Sequence, residues 1–299
     1  MKAKDAFAQF LKVRQSICTQ TTLDIYRWML VDFFKHIDPK TLVTEIDQGM
    51  IAGWIQKLRE DGINPNTIRK KLGILGVFFG WCRNSDLLDV QSDPLVGVPV
   101  VRKADTQKVP FTWEQFQAVL TFAKANRTRR SYDWEHICTL AWHTGLRLSD
   151  CCCLQWSQVD FISDVIMARP KKLEFKRQEL VIPMHPDLRA HLLTRYSART
   201  NEEWVTPELR IVYLSRAYNI KKAFRALCDK LGYRQYSMHS FRHGFITRLL
   251  NAGASAEVVR QMTGQSLATL STYAHISVDA KRAALEMADQ PSQSKRITA

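Results

Sequence analysis

Three short segments in the second half of this 299-residue chain hold side chains suited to chemistry at a phosphate. The first is Thr144-Gly145-Leu146-Arg147-Leu148-Ser149-Asp150, where a Thr-Gly break between two helical patterns presents Arg147. A guanidinium keeps its proton at any working pH and grips two phosphate oxygens at once, so it suits a centre where extra negative charge develops. Asp150, three residues on, can orient it. The second is His239-Ser240-Phe241-Arg242-His243. On a helix His239 and Arg242 project from one face, while Phe241, Phe245 and Leu249 form another that can meet a core. A zinc-protease reading fails here, because the HExxH glutamate and its paired histidines are absent. The third runs from Gly264 to His275 and contains Gln265 and Tyr273. A phenol of ordinary pKa about 10 becomes a good nucleophile when cationic neighbours favour its ionised form.

Taken singly, each segment has a plain structural explanation: a helix-start arginine paired to an aspartate, a polar helix face, a packing tyrosine. Taken together and in this order they are far more specific. They resemble the tyrosine recombinase (phage integrase) family, whose pattern is a TGLRxSE-like box, an HxLRH-like box about 90 residues later and a tyrosine about 30 residues beyond. Here Arg147 precedes His239 by 92 residues and Tyr273 follows Arg242 by 31. The run HSFRHGFITRLLNAG, His239–Gly253, resembles the second box over its whole length.

That resemblance implies an enzyme in which Tyr273 attacks a DNA phosphodiester, leaving a 3′-phosphotyrosine link and a free 5′-hydroxyl. Arg147 and Arg242 would hold the non-bridging oxygens. His239 would bond the phosphate or accept the phenolic proton. The family also places a lysine in a β-hairpin turn as the acid for the departing 5′-oxygen; Lys171 is the first choice here, then Lys172, with Lys176 further along. One position departs from the pattern: Gln265 follows Gly264 where the family usually has histidine or tryptophan, and it stands eight residues before the tyrosine rather than nine. Glutamine still donates a hydrogen bond but supplies no charge, a role His275 or His243 can take over. No cofactor or metal is expected, since guanidinium charge does the work magnesium does at many phosphoryl-transfer sites. The implied partners are double-stranded DNA core sites, a homotetramer on two duplexes, and accessory DNA-bending or directionality proteins. Two alternatives share parts of this constellation: a type IB topoisomerase-like strand relaxer and a catalytically weakened sequence-specific DNA-binding protein.

The charge distribution agrees with a polyanionic partner. The formal net charge is +14, and residues 101–299 hold 30 Lys and Arg against 18 Asp and Glu, while residues 1–100 are nearly balanced at 13 against 11. A cluster stands at Lys124, Arg127, Arg129 and Arg130. No basic amphipathic helix with a broad aromatic face stands out, which favours nucleic acid over a membrane surface. No apolar run approaches the roughly 20 residues of a membrane-spanning helix, and the start lacks a signal-peptide core, so a cytoplasmic protein is the expectation. Seven cysteines, an odd number without CxxC spacing, read as small, mostly buried thiols of a reducing compartment.

The elements that must position these residues give a mainly α fold class: an all-helical N-terminal domain over 1–95, which resembles the core-binding domain of that family, and a mostly α domain with a small antiparallel β-sheet over 111–299, which the resemblance implies is the catalytic domain. In the first, Leu23, Tyr26, Leu30, Phe33 and Ile37 step as one helix capped by Thr21 or Thr22. Asp47 caps a second helix that stops at Gly62, and Asn64-Pro65 opens a third with Ile68, Leu72, Leu75, Phe79 and Cys82 as its stripe. Residues 96–110, with two prolines, read as an exposed linker. A Thr112–Gln115 capping box opens the second domain. Val165–Met167 and Leu180–Ile182 form the sheet signal around a lysine-rich turn. Helices follow at Asp187–Tyr196, Ser215–Leu231, Ser237–Asn251, Ser255–Met262 and Leu270–Ala274. A C-terminal exchange and tail segment is expected from about residue 277, with Asp279–Ala288 helical.

Overall fold

The structure is a computed structural model that describes residues 1–104, 109–127, 132–170, 179–200, 202–273 and 282. The chain divides into two compact units, Met1–Thr106 and Gln107–Ala299.

The first unit is built on helices α1 (Ala3–Gln15), α2 (Gln20–Leu30), α3 (Phe33–His36), α4 (Gln48–Glu60) and α5 (Pro65–Asn84). Asp47 caps α4 by accepting from the Met50 N–H at 2.8 Å, and Gly62, at φ +72°, ends it. Asn64 and Pro65 open α5 as their types dictate. The expected Leu23–Ile37 helix is broken into α2 and α3, and its cap is Thr19 rather than Thr21 or Thr22, with the Thr22 N–H donating to Thr19 Oγ1. Apolar spacing continued through the break because Leu30, Phe33 and Ile37 all reach the same core.

That core joins Phe10, Phe33, Trp54, Ile68, Phe78 and Phe79, all fully or almost fully buried. It also encloses Lys71, whose Nζ donates to both Asp32 carboxylate oxygens at 2.8 Å and to the Met29 carbonyl at 2.9 Å. Burial of an ammonium is tolerable only with such complete pairing.

The segment 96–110, expected as an exposed linker, is exposed at Val96 and Val100 but is tied to the first unit at Val101 and Ala104. Val101 is buried in the first core, its carbonyl accepts from Arg69 Nη1 at 2.8 Å, and Asn66 makes two bonds with the Ala104 backbone. One side-chain amide, Asn66, and one guanidinium, Arg69, both on α5, satisfy this stretch of backbone, and prolines in the sequence gave no sign of that.

The second unit begins with α6 (Trp113–Ala125), opened by the expected Thr112–Gln115 capping box. It continues through α7 (Trp134–Thr144) and the short α8 (Leu148–Cys152). A three-stranded antiparallel sheet follows, β1 (Val159–Asp160), β2 (Val165–Ala168) and β3 (Leu180–Pro183), in the order β1-β2-β3, with Ile166 opposite Ile182. The strand β1 has only two residues, too few for an alternating pattern to show. Then come α9 (Pro186–Ser197), α10 (Pro207–Lys230), α11 (Met238–Asn251), α12 (Ala256–Thr263) and α13 (Leu267–Leu270), the last running into a 3₁₀ turn over Ser271–Tyr273. The helix α10 starts eight residues before the expected Ser215, but its backbone leaves the helical region at Arg216 (φ −149°, ψ 57°), so the sequence pattern found only its second half. Lys171, Lys172, Lys176, His275 and most of the expected Asp279–Ala288 helix lie outside the described residues.

The central helix of this unit is α11. It packs chiefly on α7, and Gly244 on another side lets the backbone of Phe111, just before α6, come close, since a Cβ there would lie 3.1 Å from the Phe111 carbonyl oxygen. All seven cysteines are free thiols. Cys138, Cys151 and Cys152 pack in the second core, where burial pushes their pKa values up.

Candidate active site

Two copies of one local device frame the site. Helices α7 and α12 both end in Thr-Gly, and the two glycines adopt the left-handed conformation, Gly145 at φ +62° and Gly264 at φ +64°. In each, the threonine hydroxyl donates to the carbonyl four residues back (Thr144 to Leu140 at 2.7 Å, Thr263 to Val259 at 2.6 Å). It then accepts from the N–H two residues on, Leu146 at 3.2 Å and Gln265 at 3.4 Å. Both helices are thereby stopped cleanly, with carbonyl ends turned towards one point.

Arg242 occupies that point. It is 1% exposed, and its Nη1 donates to the Gly145 carbonyl at 2.8 Å while its Nη2 donates to the Thr263 carbonyl at 2.6 Å. The negative ends of two helix dipoles thus meet one cation. Burial, and then the field of Arg147, lower its pKa to about 10, which leaves it charged at neutral pH. His239 and Arg242 were expected side by side on an open face. His239 is indeed exposed, but Arg242 lies beneath the surface as the tie between α7 and α12.

Arg147 follows two residues after Gly145 and opens α8. Its Nη1 stands 3.7 Å from Asp150 Oδ2, the expected orienting partner, and Asp150 is held in turn by Ser149 Oγ at 3.1 Å. Among the described residues, the buried Arg147 Nη1 and Arg242 Nε have no hydrogen-bond partner. Unpaired buried donors of this kind are costly, and an anionic oxygen placed between them removes the cost.

Tyr273 closes the arrangement. The ring is 8% exposed, packed with Ile246, Val259 and Leu270, and its hydroxyl is hydrogen-bonded to Nδ1 of His243, one residue after Arg242. Both arginines are near enough to pull the phenol pKa down, yet burial outweighs them and the net shift is upward. Cationic neighbours were expected to ionise it; in this arrangement desolvation wins, and the phenol is neutral. Gln265 is half-buried, and its described bond is made by its backbone N–H.

A family model described as the phage integrase family matches residues 111–279, more than half of the chain. The chain belongs to the phage integrase family. Its members are tyrosine recombinases, enzymes that break and rejoin DNA strands, and this chain is one of them. It is 23% identical to tyrosine recombinase XerC of Pediococcus pentosaceus over 293 residues, covering 93% of this chain and 94% of that protein. Some curated relatives are longer: the chain spans 45% of transposase B from transposon Tn554 of Staphylococcus aureus, against 95% of tyrosine recombinase XerD of Rickettsia bellii. The fold is that of the Tn1549 transposon integrase in complex with a circular intermediate DNA, with a TM-score of 0.75 at 19% identity, over 96% of this chain and 99% of that one. It is also that of a lambda integrase tetramer bound to a Holliday junction, with a TM-score of 0.70 at 15% identity, over 89% of this chain and 78% of that one.

Within this integrase-family unit, a cavity of about 590 Å³ opens beside Arg147 and His239. Its other wall is α10, which contributes Tyr213, Tyr218, Lys221, Lys222 and Arg225. Sequence reasoning did not single out these residues. The signal was present: Tyr218, Lys221, Lys222 and Arg225 recur at three- and four-residue steps, opposite the buried stripe Ile220, Phe224 and Leu227. Of the cluster at Lys124, Arg127, Arg129 and Arg130, Lys124 pairs with Glu135 at 3.3 Å and Arg127 with Asp133 at 3.3 Å, while Arg129 and Arg130 lie outside the described residues.

Proposed function

We infer that Tyr273 is the nucleophile of this recombinase, and that the chain acts on duplex DNA through a 3′-phosphotyrosyl intermediate. The observation that carries this reading is the hydrogen bond from the Tyr273 hydroxyl to His243, made within the field of Arg242 and Arg147. A scissile phosphate enters the mouth beside Arg147, where the unpartnered Nη1 of Arg147 and Nε of Arg242 receive its non-bridging oxygens. His243 Nδ1 takes the phenolic proton as the Tyr273 oxygen bonds to phosphorus. The bond from phosphorus to the 5′-oxygen breaks, and that oxygen leaves as a 5′-hydroxyl protonated by Lys171, which lies between β2 and β3 in the sequence. A 5′-hydroxyl of the second duplex then attacks the phosphotyrosine, restoring the phosphodiester and returning the phenol. One phosphate ester replaces another at each step, so no nucleotide cofactor is needed.

His239, exposed at the cavity edge, and Gln265, beyond the Gly264 cap, donate hydrogen bonds to the same phosphate. The basic face of α10 holds flanking phosphates. The unit 1–106 grips the duplex as a core-binding domain, four copies assemble on two duplexes, and the reaction proceeds on DNA in the cytoplasm. Accessory DNA-bending proteins set the direction.

The test is incubation of the full chain with nicked duplex carrying its core site, in EDTA, followed by SDS gel analysis. A covalent protein–DNA adduct is expected from the wild type and none from Tyr273→Phe. An adduct undiminished in that variant overturns the assignment, and exchange of strands between two labelled duplexes separates recombination from simple strand relaxation.

A further inference from the structure

On the other face of α11 from His239, a second cavity of about 540 Å³ is bounded by Trp142, His143, Met184, Asp187, Phe245 and Arg248. His185 also lines its mouth. Among the described residues, His143, His185 and Asp187 are the one group of three metal-ligating side chains whose donor atoms, one from each, all lie within 4.8 Å of one another. They come from two elements. His143 is on the last turn of α7, and His185 and Asp187 stand at the start of α9, just after β3.

The imidazoles of His143 and His185 are already stacked, with ring centroids 4.9 Å apart and 27° between planes. Asp187 is held against His185: its N–H donates to His185 Nδ1 at 3.3 Å, and its Oδ2 is 3.6 Å from the same nitrogen. Around a tetrahedral zinc ion, with bonds of about 2.0–2.1 Å, ligand atoms sit roughly 3.3–3.5 Å apart. The observed spacing therefore closes by small rotations of His185 and Asp187, both of which are exposed.

We propose that His143, His185 and Asp187 bind a borderline transition-metal dication, with Zn²⁺ the reference ion, as a two-histidine, one-carboxylate site whose remaining position is open to water. Charge alone does not favour a cation here, since Arg248 lines the same cavity and the amino end of α9 points a positive dipole at it. A single carboxylate does not offset both. Binding must therefore come from the metal–imidazole bonds, which selects Zn²⁺, Ni²⁺ or Cu²⁺ and rejects Mg²⁺ and Ca²⁺. The bound ion would tie the end of α7, two residues before Gly145, to the β3–α9 connection. It would brace the loop that carries Arg147 without touching the phosphate.

The experiment is calorimetric titration of untagged full-length protein near neutral pH with ZnCl₂ and, separately, with MgCl₂. One Zn²⁺ per chain and no Mg²⁺ are expected, with an upward shift of the thermal midpoint on Zn²⁺ addition. His185→Ala and Asp187→Asn change exposed residues, and each should weaken Zn²⁺ binding by about tenfold or more. A Co²⁺-loaded sample should show ligand-field bands without thiolate charge transfer, which distinguishes this site from binding at the cysteines. Absence of Zn²⁺ binding to the wild type, wild-type affinity retained in either variant, or a thiolate spectrum overturns the proposal. DNA adduct formation in EDTA is a separate readout, so failure here leaves the assignment of Tyr273 untouched.

Discussion

Gly145 is the position where backbone conformation and catalytic geometry meet most directly, and Gly145→Ala tests that link. Its φ of +62° belongs to the left-handed region, where an alanine costs about 1–2 kcal/mol. A Cβ there would also lie 2.8 Å from Phe245 Cγ and closer still to Cδ1, inside any normal carbon contact. Phe245 is itself 6% exposed and has little room to yield, so overpacking adds about 1–3 kcal/mol. The expected loss is about 2–5 kcal/mol by urea unfolding, together with slower adduct formation, because the Gly145 carbonyl anchors Arg242 and Arg147 follows two residues later. Phe245→Ala removes the obstacle. In that background Gly145→Ala should cost only the backbone share of about 1–2 kcal/mol. A cost below about 1 kcal/mol in the wild-type background, or the same cost in both, would refute the steric argument.

Three further outcomes follow from the site and its surroundings. His243→Gln should slow adduct formation by about 10²–10⁴-fold while leaving DNA affinity intact, since it removes the proton acceptor and no phosphate contact; a rate within a few-fold of wild type would transfer that role elsewhere. Lys222→Ala on the exposed face of α10 should weaken binding to all sequences alike and lower the slope of log K against log salt by about one, as measured by fluorescence anisotropy. An unchanged slope would remove α10 from the DNA interface. His136 is buried against His191 and the Val205 carbonyl, and burial lowers its pKa to about 4 from 6.5. Between those values the unfolded chain binds the proton that the folded one refuses. Its contribution is therefore intact above pH 6.5 and is lost as pH falls towards 4, by up to about 3 kcal/mol. Urea melts across this window should show the loss shrinking in His136→Gln.

Much of this protein is written locally. Asp47, Asn64-Pro65 and the Thr112–Gln115 box open helices through bonds to their own neighbours, so short windows of sequence suffice to find them. Arg147, His239, Arg242 and Tyr273 were recognisable by type and spacing, and the order of their segments carries the family. Gln265 remains legible only as a departure from a pattern.

Other features needed the folded chain. Burial of Arg242 depends on two carbonyls that lie 97 and 21 residues away in sequence. The same holds for the phenol of Tyr273, where desolvation overrides two nearby guanidiniums, a balance set by distance and solvent exclusion rather than residue type. The strapping of Val101 and Ala104 onto α5 follows from hydrogen bonds that span more than 30 residues. Capping, periodicity and motif spacing were thus properties of the sequence itself. Tertiary structure alone decided which cations are buried, which histidine meets Tyr273 and which side chains share a cavity, because these depend on contacts between segments far apart along the chain.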